Sequence, residues 1–326
     1  MRFVVMGAGA IGGAVGARLF QKGYDVTLVA RGEHGRALQE DGLVLEAPEE
    51  TVTLRIPTVT EAAEVSWNGD GVVVLLAVKG QDTDGALTQL TVAPPETAVV
   101  CMQNGVDNER RVLRFFADTY GMCVMCPATQ LHPGVVQVHS SPVTGLLDLG
   151  RFPSGLDDRG QAIADTIATT TFQSVARPDI MRWKYRKLLM NLANAVEALC
   201  GPEGRFSALT KEAQREGKEA LAAAGIDVAS AQEDRERRGD HLQMRSTTTG
   251  EWSGGSSWQS LARGAGSIEA EYLNGEIVLL GRQHGIPTPV NALLERLAIR
   301  AAVEGSPPGS WRIDDLSERA GVAHGE

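Results

Sequence analysis

The chain lacks any apolar run of about 18 residues, the length a membrane-crossing helix needs, so no transmembrane segment is expected. Positive charge is also short. Its 31 Lys and Arg against 41 Asp and Glu leave a formal net charge of −10. Nonspecific nucleic-acid binding needs a basic surface, and this balance argues against it. Cysteine is scarce: Cys101, Cys123, Cys126 and Cys200 are all there are. Cys123 and Cys126 form C-x-x-C, a spacing used in redox and metal sites. They lie in an apolar run that reads as a buried strand, and no two further ligands are spaced for zinc. Buried structural thiols, no metal and a reduced, cytoplasmic compartment fit this pattern best. The opening Met1-Arg2-Phe3-Val4-Val5 is too short an apolar segment for a signal peptide and reads as a strand. No internal repeat is found.

What is present is a chain long enough for two domains, with 43% hydrophobic and 22% charged residues, as in ordinary globular proteins. Its first half alternates strand-like runs at 2–6, 25–30, 71–78, 97–102 and 121–126 with helical stretches such as 11–22 and 107–117. That alternation predicts an α/β fold: a Rossmann-type, doubly wound parallel sheet with helices on both faces. Segments 43–46, 51–56, 135–139 and 145–149 read as further strands of a smaller edge or mixed region, and Phe172–Val175 as a last strand. After Arg177-Pro178 the apolar spacing turns helical, at 180–199, 207–224, 268–284 and 290–302. The expected domains are therefore 1–177, dinucleotide-binding, and 178–305, an all-helical substrate and catalytic domain. Residues 306–326 read as a loosely attached tail. Residues 245–257, poor in aliphatic side chains, read as a mobile loop or lid.

The richest stretch is Phe3-Val4-Val5-Met6-Gly7-Ala8-Gly9-Ala10-Ile11-Gly12, a strand running into G-x-G-x-x-G. Gly7 permits a tight turn, Gly9 lets backbone approach a pyrophosphate, and Gly12 lets the next helix pack close. The helix N-terminus then offers N–H groups to the phosphates. Alone, the motif also fits a glycine turn in another parallel α/β fold. At the end of the second strand, where NAD-binding versions carry an acid, stand Ala30 and Arg31. A guanidinium there pairs with a 2′-phosphate, which points to NADP(H). The bland alternative is a solvated Arg31, with Glu33 a late acidic contact to NAD.

Lys79 ends the third strand and Asn104-Gly105 follows the fourth, both on the edge where such sheets bind ligands. Asn104-Gly105 also fits a plain turn. Lys187 and Asn191 are four apart on one helix face. Hydride addition to a carbonyl leaves a developing alkoxide, and a lysine beside an apolar pocket can protonate it. The alternative is a solvated basic patch formed by Arg182, Lys184, Arg186 and Lys187.

Taken together, these residues resemble the ketopantoate reductases (2-dehydropantoate 2-reductases), within the 6-phosphogluconate and β-hydroxyacid dehydrogenase superfamily. The resemblance covers about residues 1–300. It rests on the glycine turn, Arg31, Val78-Lys79, Asn104-Gly105, Trp183 with Lys187-Leu188-x-x-Asn191, Ser257, Ile268–Gly275 and His284–Pro289. It implies NADPH-dependent reduction of 2-dehydropantoate to pantoate, as in pantothenate biosynthesis. It also implies that Lys187 is the general acid, that Glu269 helps place it and the substrate, and that Asn104, Asn191 and Ser257 line the substrate site. By the same resemblance Lys79 lies near the nicotinamide.

Three departures bear on the substrate. The family's second asparagine, eight residues after the lysine, is Ala195 here. Asn194, close to the Lys187 face at 100° per residue, is a substitute for it. Ser257 is followed by Trp258-Gln259-Ser260-Leu261 rather than by the family's Met and Asp. Gly264-Ala265-Gly266-Ser267-Ile268 replaces a segment richer in Arg and Thr. The same chemistry on another keto acid or an imine is the nearest alternative, and a noncatalytic NADP sensor is an alternative of another class. Retention of Lys187 and Glu269 speaks against a sensor. The expected partner is a small keto acid. A homodimer is open to the helical half, though nothing in the sequence marks an interface.

Overall fold

The computed structural model describes residues 1–69, 71–247 and 254–322. They form two compact units, one within residues 1–184 and 231–247, the other within 185–230 and 254–322. This differs from a boundary at 177/178. The helix expected to open the second domain keeps its first five residues, Ile180–Lys184, in the first unit, where Lys184 is buried against Glu109.

The first unit runs β1 (Arg2–Met6), α1 (Ala10–Gln21), β2 (Asp25–Val29), α2 (Gly32–Glu40), β3 (Leu43–Ala47), β4 (Glu50–Leu54), β5 (Thr58–Val59), β6 (Val72–Leu76) and α3 (Thr83–Leu90). It continues with β7 (Ala98–Cys101), α4 (Asn108–Val112), β8 (Thr119–Met125), β9 (Ala128–Thr129), β10 (Val135–Val138), β11 (Gly145–Arg151), α5 (Asp158–Ala168), β12 (Phe172–Gln173) and the start of α6 (Ile180–Asn191). Eight strands make one sheet in the order β12-β11-β8-β7-β6-β1-β2-β5. Every neighbouring pair is parallel except β8 and β11. Strands such as Val72–Leu76 are buried almost throughout, because helices cover both faces and leave no side for polar alternation. The remaining expected strands divide. β3, β4 and β10 join β9 in a separate four-stranded sheet, while β11 joins the main one. The 107–117 helix shrinks to Asn108–Val112.

Residues 231–247 return to the first unit. Their helix, α9 (Ala231–Arg238), follows α7 (Ala193–Cys200) and α8 (Ala208–Ala223) in the chain. It is anchored by Arg237, whose Nη2 and Nε donate to the two oxygens of buried Asp148 at 2.6 and 2.8 Å. Arg177 Nε donates to the same carboxylate at 2.7 Å. Of the lid expected at 245–257, residues 248–253 lie outside the described residues. Arg245 N–H donates to the His139 carbonyl, and Ser256 and Ser257 open a helix instead.

The second unit is helical: the end of α6, then α7, α8, α10 (Ser256–Ala262), α11 (Asn274–His284), α12 (Pro289–Val303) and α13 (Ile313–Ala320). Among the described residues, no helix is long and apolar enough to cross a membrane. The single helix expected over 180–199 is two, broken at Leu192. Asn274 Nδ2 donates to the Leu192 carbonyl at 3.4 Å and to Asn291 Oδ1 at 2.9 Å. A side-chain donor inside the unit therefore serves a carbonyl at the break. The expected tail also differs. Gly309 and Trp311 N–H donate to the Ala198 and Leu199 carbonyls, and α13 buries Leu316 completely.

Candidate active site

In the first unit the row of strand ends is the organising feature. Val29, Met6, Leu76 and Cys101 close β2, β1, β6 and β7, and they stand side by side in register. The loops leaving that row hold Arg31, Gly7–Gly12, Lys79 and Asn104. From β1 the chain winds outward to β2, then crosses back to β6, so this edge is the topological switch point where such sheets bind ligands.

The glycines there have separable reasons. Gly7 has φ +100°, and a Cβ on it would stand 2.8 Å from Val78 N. Gly12 packs so closely that a Cβ would lie 2.1 Å from the Gly7 carbonyl oxygen. Gly9 is different: a Cβ on it would meet no protein atom within 4 Å, and its φ of −67° suits any residue. Nothing in the protein's own packing requires glycine at Gly9. It precedes α1, whose first turn of Ala10, Ile11 and Gly12 directs N–H groups that the helix itself cannot satisfy. That combination fits a pyrophosphate laid against the turn, with Ala8 buried beneath it.

Arg31 caps α2, and its side chain is 74% exposed, with Nη2 donating to Asp82 Oδ1 at 3.1 Å. Lys79, half-buried, precedes a 3-10 turn at Gly80–Asp82. The loops of Lys79 and Asn104 are cross-braced. Gln103 Nε2 donates to Thr83 Oγ1 at 2.9 Å, Thr83 to Asn108 Oδ1 at 2.8 Å, and Asn108 Nδ2 to the Asn104 carbonyl at 3.2 Å. Arg111 Nη1 donates to the Gly80 carbonyl at 2.9 Å. Sequence reasoning passed over these braces, because Gln, Thr and Asn near strand ends carry no distinctive spacing.

The basic cluster at 182–187 is not a solvated patch. Arg182 pairs with Asp179 and Glu233, and buried Lys184 donates to Glu109 and to the Gln103 carbonyl. Of the two thiols in C-x-x-C, Cys123 is buried and Cys126 half-buried. The four cysteines form no disulfide, and no cluster of three His, Cys, Asp or Glu is found among the described residues. Burial raises the Cys101 thiol well above its usual range and the Cys200 thiol to about 12.

In the second unit, Lys187 is half-buried and Asn191 buried near the end of α6. Asn194 lies in α7, beyond Leu192, which itself keeps helical backbone angles and donates its N–H to the Leu188 carbonyl at 3.1 Å. Asn194 Oδ1 accepts from Arg205 Nη1 at 3.1 Å, and the same nitrogen pairs with Glu197 at 2.6 Å. Glu197 also accepts from Gly255 N–H at 3.2 Å, which brings Asn194 beside the start of α10. There Ser257 is 2% exposed, and its Oγ has no hydrogen-bond partner among the described residues. A buried hydroxyl without a protein partner marks a place for a polar ligand atom or water. Glu269, also buried, opens a 3-10 turn at Glu269–Tyr272. Arg263, absent from the sequence-derived site, is half-buried in its neighbourhood. Burial lowers its guanidinium pKa, and the Glu269 carboxylate opposes the shift. Its signal in the sequence was a lone cation in a stretch of Gly, Ala and Ser.

The switch-point edge and its open glycine give the first unit the form of a dinucleotide-binding fold. Family comparison then carries the assignment further. The family model "Ketopantoate reductase PanE/ApbA" matches residues 3–154, and its C-terminal counterpart matches residues 179–301. The chain belongs to the ketopantoate reductase family. It is similar to the 2-dehydropantoate 2-reductase of Halobacterium salinarum, 30% identical over 94% of this chain and 100% of that one. The match to the Pyrococcus horikoshii enzyme of the same name is 29%, over 59% of this chain and 62% of the relative. Among solved structures, a PanE/ApbA family ketopantoate reductase from Ralstonia eutropha superposes with TM-score 0.77 at 26% identity, covering 94% of this chain and 99% of that one.

Proposed function

We propose that this protein reduces 2-dehydropantoate to pantoate with NADPH. The observation that carries the dinucleotide part of the reading is Gly9, a glycine demanded by nothing in the protein's packing, at a helix N-terminus on the switch-point edge. Arg31, exposed beyond β2, supports NADPH over NADH, because its fork of donors suits a 2′-phosphate. When bound, the reduced nicotinamide supplies the hydride for the C2 carbonyl of the oxo acid. Lys187 donates the proton that completes the hydroxyl. Glu269 orients that lysine, and Asn104, Asn191 and Ser257 hold polar atoms of the substrate. Lys79 serves the nicotinamide side. The substrate assignment draws on the relatives named above, and the absence of disulfides supports a reducing, cytoplasmic setting.

A second reading, reduction of a different 2-oxo acid or an imine, is favoured by one observation. Ala195 removes an asparagine, and Arg205 engages the carbonyl oxygen of neighbouring Asn194. Steady-state NADPH oxidation with 2-dehydropantoate and a panel of 2-oxo acids decides between them. Highest kcat/KM on 2-dehydropantoate supports the first, and a preference of tenfold or more for another acid replaces it. Lys187→Ala is expected to bind NADPH normally and to lose about 10²–10⁴ in kcat; near-normal turnover would refute its role. Arg31→Ala is expected to weaken NADPH far more than NADH, and equal losses would sink the NADPH preference.

A further inference from the structure

His34 lies on α2, three residues beyond Arg31, and both its ring nitrogens are engaged. Gly134 N–H donates to Nδ1 at 3.0 Å, and Nε2 stands 2.8 Å from the Ala8 carbonyl oxygen. A backbone N–H can only donate and a carbonyl can only accept, so the two partners fix the tautomer. Nδ1 carries the lone pair, and Nε2 carries the hydrogen and donates it to Ala8. The ring thereby joins the glycine turn to the bend between β9 and β10. That bend is itself firmly placed: the Gly134 carbonyl accepts from Val44 N–H on β3 at 2.9 Å. A Cβ on Gly134 would come within 3.2 Å of Ala37 on α2.

Ala8 stands between Gly7 and Gly9, the two residues whose backbone conformations shape the turn. In a trans peptide the carbonyl and the following N–H point in opposite directions. Holding the Ala8 carbonyl toward His34 therefore fixes the plane of the 8–9 peptide and turns the Gly9 N–H away from the imidazole. Without that hold, a turn rich in glycine has the widest choice of backbone angles of any sequence. Ordering it would then draw on the binding free energy of the ligand.

We propose that His34 is a positioning residue for the dinucleotide. Its neutral imidazole, clamped between Gly134 and Ala8, preorganises the glycine turn that receives the pyrophosphate. This rests on the dinucleotide reading of the turn, and it is independent of which oxo acid is reduced.

The test compares His34→Ala and His34→Gln with the unaltered protein, using two probes. NADPH carries the pyrophosphate, whereas 2′-AMP offers only the adenosine end with its 2′-phosphate. His34→Ala should weaken NADPH about tenfold, the effect of one lost positioning contact, while 2′-AMP binding stays within about twofold. His34→Gln, whose amide offers both a donor and an acceptor, should recover NADPH binding to within about threefold of the original. In turnover, the KM for NADPH should rise in His34→Ala while the KM for the oxo acid stays within about twofold. NADPH affinity unchanged in His34→Ala would overturn the proposal. So would a parallel loss of 2′-AMP, which would place the effect at Arg31 or in the folding of α2. A glutamine variant as weak as the alanine variant would overturn it as well. If the unaltered protein binds neither NADPH nor NADH, the cofactor reading fails and this proposal with it. If it binds NADPH and His34→Ala binds it equally well, only the role of His34 falls.

Discussion

At the scale of single residues, two of the motif glycines, Gly9 and Gly12, make opposite claims that a pair of substitutions can separate. Gly9→Ala places a methyl where no protein atom lies within 4 Å, on a backbone that alanine adopts readily. Stability should hold or rise by about 0.4–1 kcal/mol, since alanine restricts the unfolded chain more than glycine does. NADPH affinity should nevertheless fall tenfold or more. Gly12→Ala drives its methyl to 2.1 Å from the Gly7 carbonyl oxygen and should cost about 1–3 kcal/mol. Thermal melts and a fluorescence titration of both variants read the contrast. A Gly9→Ala protein that binds NADPH as before would remove the reason given for that glycine.

At the scale of elements, the break between α6 and α7 is held by a side chain from another part of the chain. Asn274 serves both the Leu192 carbonyl and Asn291, and Asn291 in turn donates to Glu216 Oε2 at 2.8 Å and to the Ala213 carbonyl at 2.9 Å. All three side chains are buried. Asn274→Leu should cost about 1–3 kcal/mol in urea unfolding, because it leaves buried partners unsatisfied. A loss below about 0.5 kcal/mol would show that the break does not depend on this network. This element also marks the limit of what was legible in the sequence. The central parallel strands were readable because burial on both faces makes them short runs dominated by apolar residues, Val and Leu above all. The division at Leu192 was not, because helical apolar spacing continues unaltered through 180–199, while the side chain bonded to its carbonyl lies more than eighty residues away. Likewise α9 escaped notice because Gln232–Arg238 is entirely polar, and β9 because two residues carry no period. The glycine turn and Arg31 were readable as local signals. Ser257 and Glu269 entered only through likeness to a family, and Arg263 and His34 only through their surroundings.

For the molecule as a whole, two buried thiols tie stability to alkaline pH. Burial is the first cause of the raised thiol at Cys200, helped by the Glu203 charge, and it brings the group to about 12. An unfolded thiol titrates near 8.5. The folded state therefore keeps its proton where the unfolded chain has lost it, and by linkage stability falls as pH rises from about 9 toward 12. Below about pH 8 the contribution is complete and flat. Cys101 acts in the same direction, with burial its main cause. Urea midpoints measured from pH 8 to 11 should decline, and Cys200→Ala should decline less steeply. Identical slopes would exclude Cys200 as a source.

The way the chain is shared between the two units has a further consequence. It passes from one to the other after Lys184, after Ser230 and again between residues 247 and 254, and the returning segment supplies Arg237 to the Asp148 carboxylate. Neither unit is thus a single continuous stretch of polypeptide. A gene fragment ended at residue 184 would encode a sheet whose buried aspartate has lost one of its two counter-ions, and a fragment begun there would carry residues 231–247, which belong elsewhere. Shuffling either half onto a new partner would take two insertions, not one fusion.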